Sequence, residues 1–503
     1  MKNGEIGILL FSIFIVAICG IIYELIIAGV SSYLLGDSIT QFSLVIGFFM
    51  SAMGFGSYLS KFLKNNLLEC FVIVEIVIGL VGGFSALVLF YAFGFTSSYH
   101  IFMFLFIIII GVMVGLEIPI LMRILKEYEE LRIALANVLS FDYIGALFGS
   151  IAFPLILLPR FGLIKTSLLI GVLNILVACI IYYQYRQKLI KSGLFLTVLI
   201  LILLSLIVGL WFSNQAERFL EQRLYRDKII FMKQTPYQKI VLTKGKNDFR
   251  LFINGNLQFS SYDEYRYHEA LVHPPMIFSY RHDRVLVLGG GDGLAVRELL
   301  RYPDVEQIIL VDLDEVITKL ATENKYFVKL NGGSLSDSRV QIINEDAYQF
   351  LLKTDELYNV ILVDLPDPNN ENLNKLYTSQ FYYLLKKHLT PDGAIAVQST
   401  SPYFAPLAFW SIVETIKDAG LKVYPYHVYV PSFGDWGFTL ATRREIDFKK
   451  FQLPFKMRYL NEENFAAMFS FGEDILAYRK MVEPNRISHP VLLRYYEEGW
   501  KHW

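Results

Sequence analysis

The sequence predicts a bundle of about seven transmembrane helices, then a small β-hairpin region, then a Rossmann-like α/β domain. Hydrophobic residues make up 54% of the 503 residues, and they are concentrated before residue 213. From about residue 230 onwards, apolar strands alternate with amphipathic helices, which is typical of a doubly wound sheet. A glycine-rich turn joins one strand to a helix at 289–293. These three observations divide the chain into a membrane half and a soluble half.

The predicted domains follow these changes of composition. The transmembrane domain covers 1–213, and a charged, helical connector covers 214–235. The hairpin region covers 236–283 and the α/β domain covers 284–444. A tail of mixed charge, 445–503, has no assigned chemical role.

Seven apolar stretches before residue 213 are each about 20 residues long, enough for a helix to cross a bilayer core of about 30 Å. The first stretch lacks a small-residue cleavage signal and further spans follow it, so it is not a removable signal peptide. We therefore predict an integral, multi-pass protein of the cell membrane, with the lipid bilayer as its partner. The predicted spans are 6–29, 41–62, 69–94, 101–124, 134–158, 163–184 and 193–213.

Charge and cysteine content exclude several classes of protein. The formal net charge of −1 gives no reason to expect nucleic acid as a partner. Cys19, Cys70 and Cys179 all lie in the apolar half, so the soluble half is not expected to contain disulfides. No group of His and Cys has metal-ligand spacing, and the aspartates do not match a calcium loop. We therefore expect no bound metal.

The strongest motif of the soluble half is RVLVLGGGDGLAVRELLRY at 284–302. An apolar run that ends at Leu288 predicts a buried strand, and a helix follows the glycines. Glycines such as Gly289 and Gly291 let the backbone approach a nucleotide near the positive N-terminus of that helix. The turn is therefore a candidate nucleoside-binding site.

The next two predicted strands end in acids. QIILVDLDEVI places Asp312 about 20 residues after the turn, where an acid accepts hydrogen bonds from ribose hydroxyls. VQIINEDAYQFL places Asp346 at the end of a third strand. The carboxyl ends of such strands share the edge where this fold binds ligands. Asp314 is better explained as a carboxylate at a helix N-terminus.

Asp292, inside the glycine turn, changes the ligand that the turn favours. A carboxylate there repels pyrophosphate, so a nucleoside with positive charge nearby, such as an S-adenosyl sulfonium, fits better than NAD or FAD. A further apolar run, in ILVDLPDPNNENLNKLYT, ends in Asp364 and Asp367. Three carboxylates in one cleft require a neutralising cation, and an amine ligand is the simplest one.

In these motifs the soluble half resembles the polyamine aminopropyltransferases, of which spermidine synthase is the usual member. LGGGDG and VDLPDP carry the resemblance, which extends from about Tyr237 to Leu440. The stretch NGNLQFSSYDEYRYHEALVHPP is similar to the family's hairpin and its Tyr-His-Glu element. Ordinary cytosolic members lack the apolar half, so the complete chain resembles membrane-fused bacterial relatives. The resemblance implies a Rossmann-like domain of the S-adenosylmethionine type.

The resemblance implies transfer of a 3-aminopropyl group from decarboxylated S-adenosylmethionine to a polyamine acceptor, with release of methylthioadenosine. Putrescine is the first choice of acceptor, and agmatine, cadaverine and spermidine stay open. Decarboxylated S-adenosylmethionine is then a co-substrate, and no prosthetic group is implied. Ordinary synthases are dimers or tetramers, so the resemblance also implies a homo-oligomer.

The resemblance also implies roles for individual residues. Asp364 is the implied proton acceptor, and Asp292 holds the amine of the aminopropyl group. Asp312 binds the ribose, where many family members have Glu. The other residues implied to contact the donor are Gln238, Gly289, Gly291, Asp346 and Ala347, and those implied to border the acceptor are Tyr267, His268, Asp367 and Gln398.

Structural explanations stay open for three of these residues. His268 could pack within a helix, Gln398 could be an ordinary hydrogen-bonded core amide, and Asp367 could stiffen its loop.

The chain also departs from the family in two places. After DLPDP it continues with Asn-Asn-Glu at 369–371, where ordinary synthases have Gly-Pro-Ala. YVPSFGDWGF stands where they commonly carry Pro-Thr-Tyr before the glycine. The acceptor pocket is therefore expected to be rebuilt around Phe433, Asp435 and Trp436.

Four acids lie within or near the predicted spans, namely Glu24, Glu75, Glu117 and Asp142. Acids in a membrane are costly and usually face a bundle interior or a polar cavity. A path for polyamines would explain them, and so would pairing with one another, with Arg123 or with the membrane interface.

Loop charges disagree with the location that the resemblance implies. Basic residues cluster in the second, fourth and sixth loops, which the positive-inside rule places in the cytoplasm. Seven spans would then put the soluble half outside, although the implied donor is made inside. Because the motif carboxylates are all present, we expect the catalytic domain on the cytoplasmic face. The basic residues are Lys61, Lys64, Arg123, Lys126, Arg132, Arg186, Lys188 and Lys191.

Two other functions are compatible with parts of this pattern. An S-adenosylmethionine-dependent methyltransferase has the same fold, but methyl transfer does not require Asp292 or the two acids of DLPDP. A polyamine transporter or sensor could bind nucleoside or polyamine without turnover.

Overall fold

The computed structural model describes residues 2–35, 38–96, 98–128, 130–189, 192–447 and 451–501. The chain forms two compact units, Met1–Asp227 and Lys228–Trp503. The first unit is helical and the second contains two β-sheets. The division into an apolar half and an α/β half therefore agrees with the sequence.

The first unit consists of long apolar helices. Within the described residues, six helical stretches are long and apolar enough to cross a membrane, and Leu131–Tyr185 counts as one of them. Short 3₁₀ segments follow α2 at Ser60–Phe62 and α6 at Arg186–Lys188, and a π-helical segment, Phe153–Leu157, joins α5 to α6. The helices are α1 (Lys2–Leu35), α2 (Ser38–Leu59), α3 (Leu67–Phe95), α4 (Tyr99–Leu125), α5 (Leu131–Ala152), α6 (Leu158–Tyr185) and α7 (Ser192–Leu224).

The long stretch Leu131–Tyr185 is interrupted at Gly162, whose φ of 71° and ψ of −178° are not helical. Glycine adopts such a conformation without a steric penalty. Before this point, α5 runs parallel to α1, because Gly145 lies against Phe14 and Gly149 lies against Ile18.

After Gly162 the direction reverses, and α6 runs antiparallel to α3. The Ser167 hydroxyl donates a 2.7 Å hydrogen bond to the Gly82 carbonyl. Further along α6, the Asn174 amide donates to Glu75, which is earlier in α3. Leu163 lies against Gly29 of α1, and Asn174 lies at Glu75, which interacts electrostatically with Cys19 earlier in α1. Helix α6 therefore runs antiparallel to α1 as well, and the helical stretch is bent back on itself at Gly162.

The stretch predicted as a connector, 214–235, is divided differently in the structure. Helix α7 continues through its charged residues to Leu224, and β1 (Lys228–Gln234) already belongs to the second unit. Glu, Gln, Arg and Leu are good helix formers, so the helix does not have to end where the apolar stretch ends.

The second unit begins with an antiparallel sheet of four strands in the order β1-β2-β3-β4. The β3–β4 turn contains Asn254 and Gly255, both with positive φ, as an Asn-Gly hairpin turn requires. The region predicted as a small hairpin at 236–283 is thus a sheet that begins at Lys228, followed by a helix. These elements are β2 (Lys239–Lys244), β3 (Phe249–Ile253), β4 (Asn256–Ser260) and α8 (Glu264–Phe278).

A seven-stranded mixed sheet follows, in the order β10-β11-β9-β8-β5-β6-β7. Strands β5 to β9 pair in parallel, and β11 pairs antiparallel with both β9 and β10. The carboxyl ends of β5, β6 and β8 therefore lie side by side. The strands are β5 (Arg284–Gly289), β6 (Gln307–Asp312), β7 (Val340–Asn344), β8 (Tyr358–Asp364), β9 (Leu389–Gln398), β10 (Lys422–Val430) and β11 (Gly434–Thr442).

Helices cover both faces of this sheet, as expected for apolar parallel strands. Val285 and Val287 of β5 belong to a core shared with α8 and α9, and Leu286 and Leu288 belong to a core shared with α14 and α15. The helices after α8 are α9 (Leu294–Leu299), α10 (Glu315–Glu323), α11 (Lys325–Asn331), α12 (Ala347–Lys353), α13 (Glu371–Asn374), α14 (Ser379–Lys387), α15 (Pro406–Asp418), α16 (Glu462–Ala467), α17 (Glu473–Leu476) and α18 (Leu492–Trp500), with 3₁₀ segments at Ser334–Ser336, Lys375–Tyr377 and Ala477–Met481.

The tail after residue 444 packs onto the α/β domain. The Glu269 carboxylate accepts backbone hydrogen bonds from Arg458, Tyr459 and Leu460 at 2.8 to 2.9 Å. The Trp410 indole donates to the carbonyl of Ile475 at 2.8 Å. The described part of the tail is therefore integral to the second unit.

Candidate active site

The glycine turn after β5 brings three strand ends together. Gly289 and Gly290 have positive φ, and a Cβ at Gly289 would collide with the carbonyl of Asp364. The Gly290 N–H donates to that carbonyl at 3.1 Å, and the Gly291 N–H donates to Asp312 Oδ2 at 3.0 Å. The turn therefore binds the ends of β6 and β8 with its own amides.

Asp312 lies at the end of β6 with both carboxylate oxygens hydrogen-bonded. Oδ2 accepts from Gly291 and Oδ1 accepts from the Asp314 N–H, each at 3.0 Å. Burial raises the pKa of Asp312 to about 6, although these amide hydrogen bonds favour the charged form. A carboxylate fixed in this way keeps further lone pairs for hydroxyl donors.

Gln238 is held by Asp314 at the start of α10. The Asp314 Oδ1 accepts from the Val316 N–H and caps the helix, which confirms the prediction of a helix-start carboxylate. Its Oδ2 accepts from the Thr235 hydroxyl at 2.7 Å and from the Gln238 amide at 3.1 Å. Asp314 thus positions Gln238 near the end of β6.

Asp346 and Ala347 lie at the start of α12. The Asp346 Oδ1 caps the helix by accepting from the Gln349 N–H, and Oδ2 pairs with Lys375 at 2.6 Å. Burial would raise the pKa of Asp346, but Lys375 and the capping hydrogen bond lower it below its usual value. Asp346 is therefore ionised, with a cation beside it that the sequence did not indicate.

Asp364, at the end of β8, accepts a 2.6 Å hydrogen bond from the Tyr267 hydroxyl of α8. Its other oxygen faces Gly290, next to the turn that carries Asp292. Burial raises the pKa of Asp364, while the charge of His268 and the Tyr267 hydrogen bond oppose that shift. This carboxylate is therefore held in one orientation by a fixed donor.

His268 supplies a positive charge inside this cluster. Its Nδ1 lies 2.9 Å from Glu264 Oε2, and Glu264 also binds Arg297 at 2.8 Å. Burial would lower the pKa of His268, but Glu264, with Asp292 and Asp364 nearby, raises it to about 9. Burial likewise raises the pKa of Asp292 to about 6, because the charge of His268 offsets the burial only in part. At neutral pH an imidazolium thus already neutralises part of the acidic cluster.

Asp367 binds side chains from the end of β9. Its Oδ1 accepts from the Gln398 amide at 3.1 Å and its Oδ2 accepts from the Thr400 hydroxyl at 2.9 Å. The same amide donates to the Tyr377 hydroxyl at 2.8 Å and to the Leu365 carbonyl at 2.7 Å. Burial raises the pKa of Asp367 to about 6 against these hydrogen bonds. Gln398 is therefore a hydrogen-bonded core amide that also holds Asp367.

The tail contributes Tyr496, on α18, as a further hydrogen-bond donor to Asp367. Asn485 fixes the start of α18, since its Oδ1 accepts from the Val491 N–H at 3.1 Å and its Nδ2 donates to the Tyr377 carbonyl at 3.0 Å. The carboxylate side of the site is therefore partly built from residues outside the motifs.

Of the three residues expected to rebuild the acceptor pocket, two lie near Tyr267. The ring of Phe433 is 6.1 Å from that of Tyr267 and 5.0 Å from that of Trp436. Asp435 instead pairs with His427 at 2.7 Å across the β10–β11 hairpin. Alternation along β11 turns Asp435 to the opposite face from Trp436.

Comparison with known proteins identifies the family. A profile of the spermine/spermidine synthase domain matches residues 264–450. A polyamine aminopropyltransferase from Leptospira interrogans is 45% identical over 492 residues, which cover 98% of each chain. This chain belongs to the polyamine aminopropyltransferase family. It is accordingly an enzyme of the transferase class.

Other aminopropyltransferases are similar along nearly the whole chain. The one from Oceanobacillus iheyensis is 43% identical and covers 97% of this chain and 96% of its own. One from Ralstonia nicotianae is 43% identical and covers 99% of both. A solved spermidine synthase in complex with the transition-state analogue AdoDATO aligns with 50% of this chain and 88% of its own, at 25% identity and a TM-score of 0.48. The alignments with the two relatives extend over the apolar helices of this chain.

Several residues of this aminopropyltransferase site were not found from sequence. Glu264 is four residues before His268, a helical spacing that does predict contact. No sequence motif marks Thr400, Tyr377 or Tyr496, because their contacts depend on how distant segments pack. Arg297 lies within the glycine motif, but nothing in the sequence indicates its ion pair with Glu264.

Proposed function

We propose that this aminopropyltransferase moves a 3-aminopropyl group from decarboxylated S-adenosylmethionine to an amine, with putrescine as the first choice of acceptor. Methylthioadenosine is the second product. The observation that carries the proposal is Asp364, which is hydrogen-bonded by Tyr267 at 2.6 Å and lies beside the turn that carries Asp292.

The donor is proposed to bind along the ends of β5, β6 and β7. Asp312 accepts the ribose hydroxyls, and Asp346 and Ala347 border the adenine. The glycine turn, with Gly289 and Gly291, supports this arrangement. Amides of the turn already donate hydrogen bonds to Asp312 and Asp364, so few N–H donors are left for a phosphate, and a nucleoside without phosphate fits better. Gln238 contacts the donor from the β1–β2 turn.

The reaction is proposed to be a direct displacement. The acceptor nitrogen forms a bond to the carbon beside the sulfonium, and the bond from that carbon to sulfur breaks with its electron pair passing to sulfur. Asp364 takes one proton from the attacking nitrogen, as a general base. An alkylamine has a pKa of roughly 10, so the base must act on a group that is ammonium in water.

Carboxylates on either side are proposed to align the two reactants. Asp292 holds the ammonium of the aminopropyl group, while Asp367 holds the acceptor, bordered by Tyr267, His268 and Gln398. Fixing both reactants supplies much of the rate enhancement, because it replaces an encounter in solution with a positioned pair.

The decisive experiment incubates the purified full chain with decarboxylated S-adenosylmethionine and one amine at a time, and measures methylthioadenosine. We expect release only when an amine is present, and fastest with putrescine. Methyl transfer from S-adenosylmethionine would point to a methyltransferase instead. Binding of nucleoside or amine with no product would point to a transporter or sensor.

We propose that the helical unit crosses the membrane seven times and that the enzyme is a homo-oligomer in the cell membrane. The reversal of direction at Gly162 supports counting α5 and α6 as separate spans. Cross-linking in membranes and light scattering in detergent measure the oligomer, and a purely monomeric protein would contradict that part.

The α/β domain is proposed to face the cytoplasm, where the donor is made. The basic residues of the loops favour the opposite orientation by the positive-inside rule, and Arg123 is one of them. Its guanidinium donates to the carbonyls of Leu63 at 2.5 Å and Ser60 at 3.2 Å. This residue therefore ties the α2–α3 loop and has a structural reason to be basic. Protease treatment of intact cells tests the orientation, because cleavage within 230–503 from outside would contradict it.

A further inference from the structure

A buried polar cluster lies inside the helical unit, away from the site described above. Glu75 of α3 is fully buried and Glu117 of α4 is 3% exposed. Asn174 of α6 is also fully buried, and its amide donates to Glu75 Oε2 at 2.5 Å. The side chains of Glu75 and Glu117 are hydrogen-bonded to each other.

The protein places no cation beside these two acids in the ranges that the structure describes. Two carboxyl groups in direct contact cannot both ionise in an apolar interior, because like charges repel at that distance. Without a cation, the protonated and uncharged form of Glu75 and Glu117 is therefore the stable one. Neither forms an ion pair with Lys, Arg or His within the described ranges. A buried charge without a partner is expensive, particularly in a membrane.

Unpartnered acceptor atoms are an independent sign of a missing ligand. Apart from the carboxyl proton between Glu75 and Glu117, no donor of the described residues reaches Glu75 Oε1, Glu117 Oε1 or Asn174 Oδ1, and the Tyr23 hydroxyl of α1 is also buried without a partner. Buried polar atoms are nearly always hydrogen-bonded, so several together on different helices call for an occupant.

The four side chains come from four different helices, and Tyr23 interacts electrostatically with both Glu75 and Glu117. The ring of Tyr23 lies against Gly82, which is seven residues, or about two turns, after Glu75 on α3. Side chains two helical turns apart lie on the same face of a helix. Asp142 of α5 is half-buried and interacts electrostatically with Glu117.

We propose that Glu75, Glu117 and Asn174 form a binding site for a primary ammonium group within the helical unit. An ammonium has three N–H donors and no acceptor, which suits a site lined by two carboxyl groups and an amide oxygen. Its positive charge allows one carboxyl group of the pair to ionise, because the resulting carboxylate then has a charged partner. Calcium and magnesium need six or more oxygens, including waters, and are a poorer match. The choice of a polyamine as the bearer of this ammonium rests on the proposed function.

The test measures equilibrium binding of radiolabelled putrescine and spermidine to the full chain in nanodiscs. It is done in an Asp292→Asn/Asp364→Asn/Asp367→Asn background, which removes the three amine-binding carboxylates proposed for the α/β domain. We expect saturable binding to persist there and to weaken at least tenfold with Glu117→Gln or Glu75→Gln. Glu24→Gln, which changes a buried acid of α1 outside the cluster, is the matched control and should bind as the background does.

A second variant guards against loss of folding. Glu117→Lys places an ammonium next to Glu75, so we expect a folded protein, judged by its elution and thermal unfolding, that does not bind amine. Amine binding by folded Glu117→Lys, equal loss in Glu24→Gln, or no binding in the background would each overturn the proposal. If the cluster bound Na⁺ and no amine, that result would also overturn the proposal.

The two proposals fail in different ways. A chain that binds amine through Glu117 but releases no methylthioadenosine in the wild type would contradict the proposed function and leave the ammonium site standing. A wild-type protein that turns over putrescine but shows no amine binding dependent on Glu117 would contradict the ammonium site and leave the proposed function standing.

Discussion

The Tyr267 hydroxyl, on α8, lies 2.6 Å from Oδ1 of Asp364 at the end of β8. Burial and the adjacent charge of Asp364 raise the pKa of Tyr267 far above its usual value, so the hydroxyl keeps its proton and donates. The hydrogen bond fixes the orientation of a carboxylate that is proposed to accept a proton from the substrate. It also stabilises the charged form that a general base requires.

Replacing Asp364 with Asn is expected to lower turnover about 100- to 10,000-fold, the usual contribution of a general base. The amide has the same shape but cannot accept a proton, so thermal unfolding should change little. Methylthioadenosine release measures the effect. Asp337→Asn, which alters a surface acid paired with Arg339, is the control and should stay active. An Asp364→Asn enzyme with most of its activity would remove this residue from the base role.

Replacing Tyr267 with Phe is expected to shift the pH dependence of activity. Loss of the hydrogen bond raises the pKa of Asp364, because that bond favours the charged form. The base form then appears only at higher pH, so the acidic limb of the kcat/KM profile moves to higher pH. Tyr265→Phe is the control, since Tyr265 packs on Arg458 at 3.6 Å and does not touch the acid. A shift to lower pH would contradict the assignment.

His268 is expected to make stability dependent on pH. Its pKa is raised to about 9 in the folded protein from an ordinary value of 6.5. Because the folded-state pKa is the higher one, the stabilisation is complete below about 6.5 and is lost as the pH rises through about 9. Thermal unfolding of wild type and His268→Gln from pH 6 to 10 should show a gap that narrows with pH. A constant gap would mean that His268 is uncharged.

Replacing Gly289 with Ala is expected to reduce activity more than the strain alone explains. A left-handed conformation costs a non-glycine residue roughly 1–2 kcal/mol, and here the new Cβ also collides with the Asp364 carbonyl. Gly255→Ala is a matched control, because Gly255 has a φ of 85° but open space around it. We expect similar backbone strain in both variants and loss of methylthioadenosine release only for Gly289→Ala. Equal activities would show that the turn tolerates displacement of β8.

Replacing Glu269 with Gln is expected to loosen the tail. The carboxylate accepts three backbone N–H groups at 458–460, and an amide offers only one acceptor oxygen. Leaving such groups unpaired costs about 1–3 kcal/mol each. Limited proteolysis after residue 444 should become faster, whereas the exposed control Glu463→Gln should not change it. Unchanged proteolysis would mean that other contacts hold the tail.

Patterns local in sequence were sufficient to predict the main elements. The apolar run into Leu288, the glycines after it and the acids Asp312 and Asp364 at strand ends specify parallel strands with a ligand edge, because each depends on neighbouring residues and backbone geometry. Span-length apolar stretches likewise specify helices that are long and apolar enough to cross a membrane, since length and hydropathy alone set that property. The predicted connector and hairpin differed from the structure, because helix propensity and sheet pairing extended past the changes in composition.

The tertiary structure decided which side chains meet. Glu264 and Arg297 give His268 its charge, Lys375 pairs with Asp346, and Asp435 pairs with His427 instead of facing the acceptor side. In the helical unit, the reversal at Gly162 brings Asn174 to Glu75. Pairs such as Lys375 with Asp346 and Asn174 with Glu75 are far apart in sequence, and they come into contact only through the packing of whole helices and sheets. Charge balance at a buried site is therefore a property of the fold, whereas the positions of the acids are a property of the sequence.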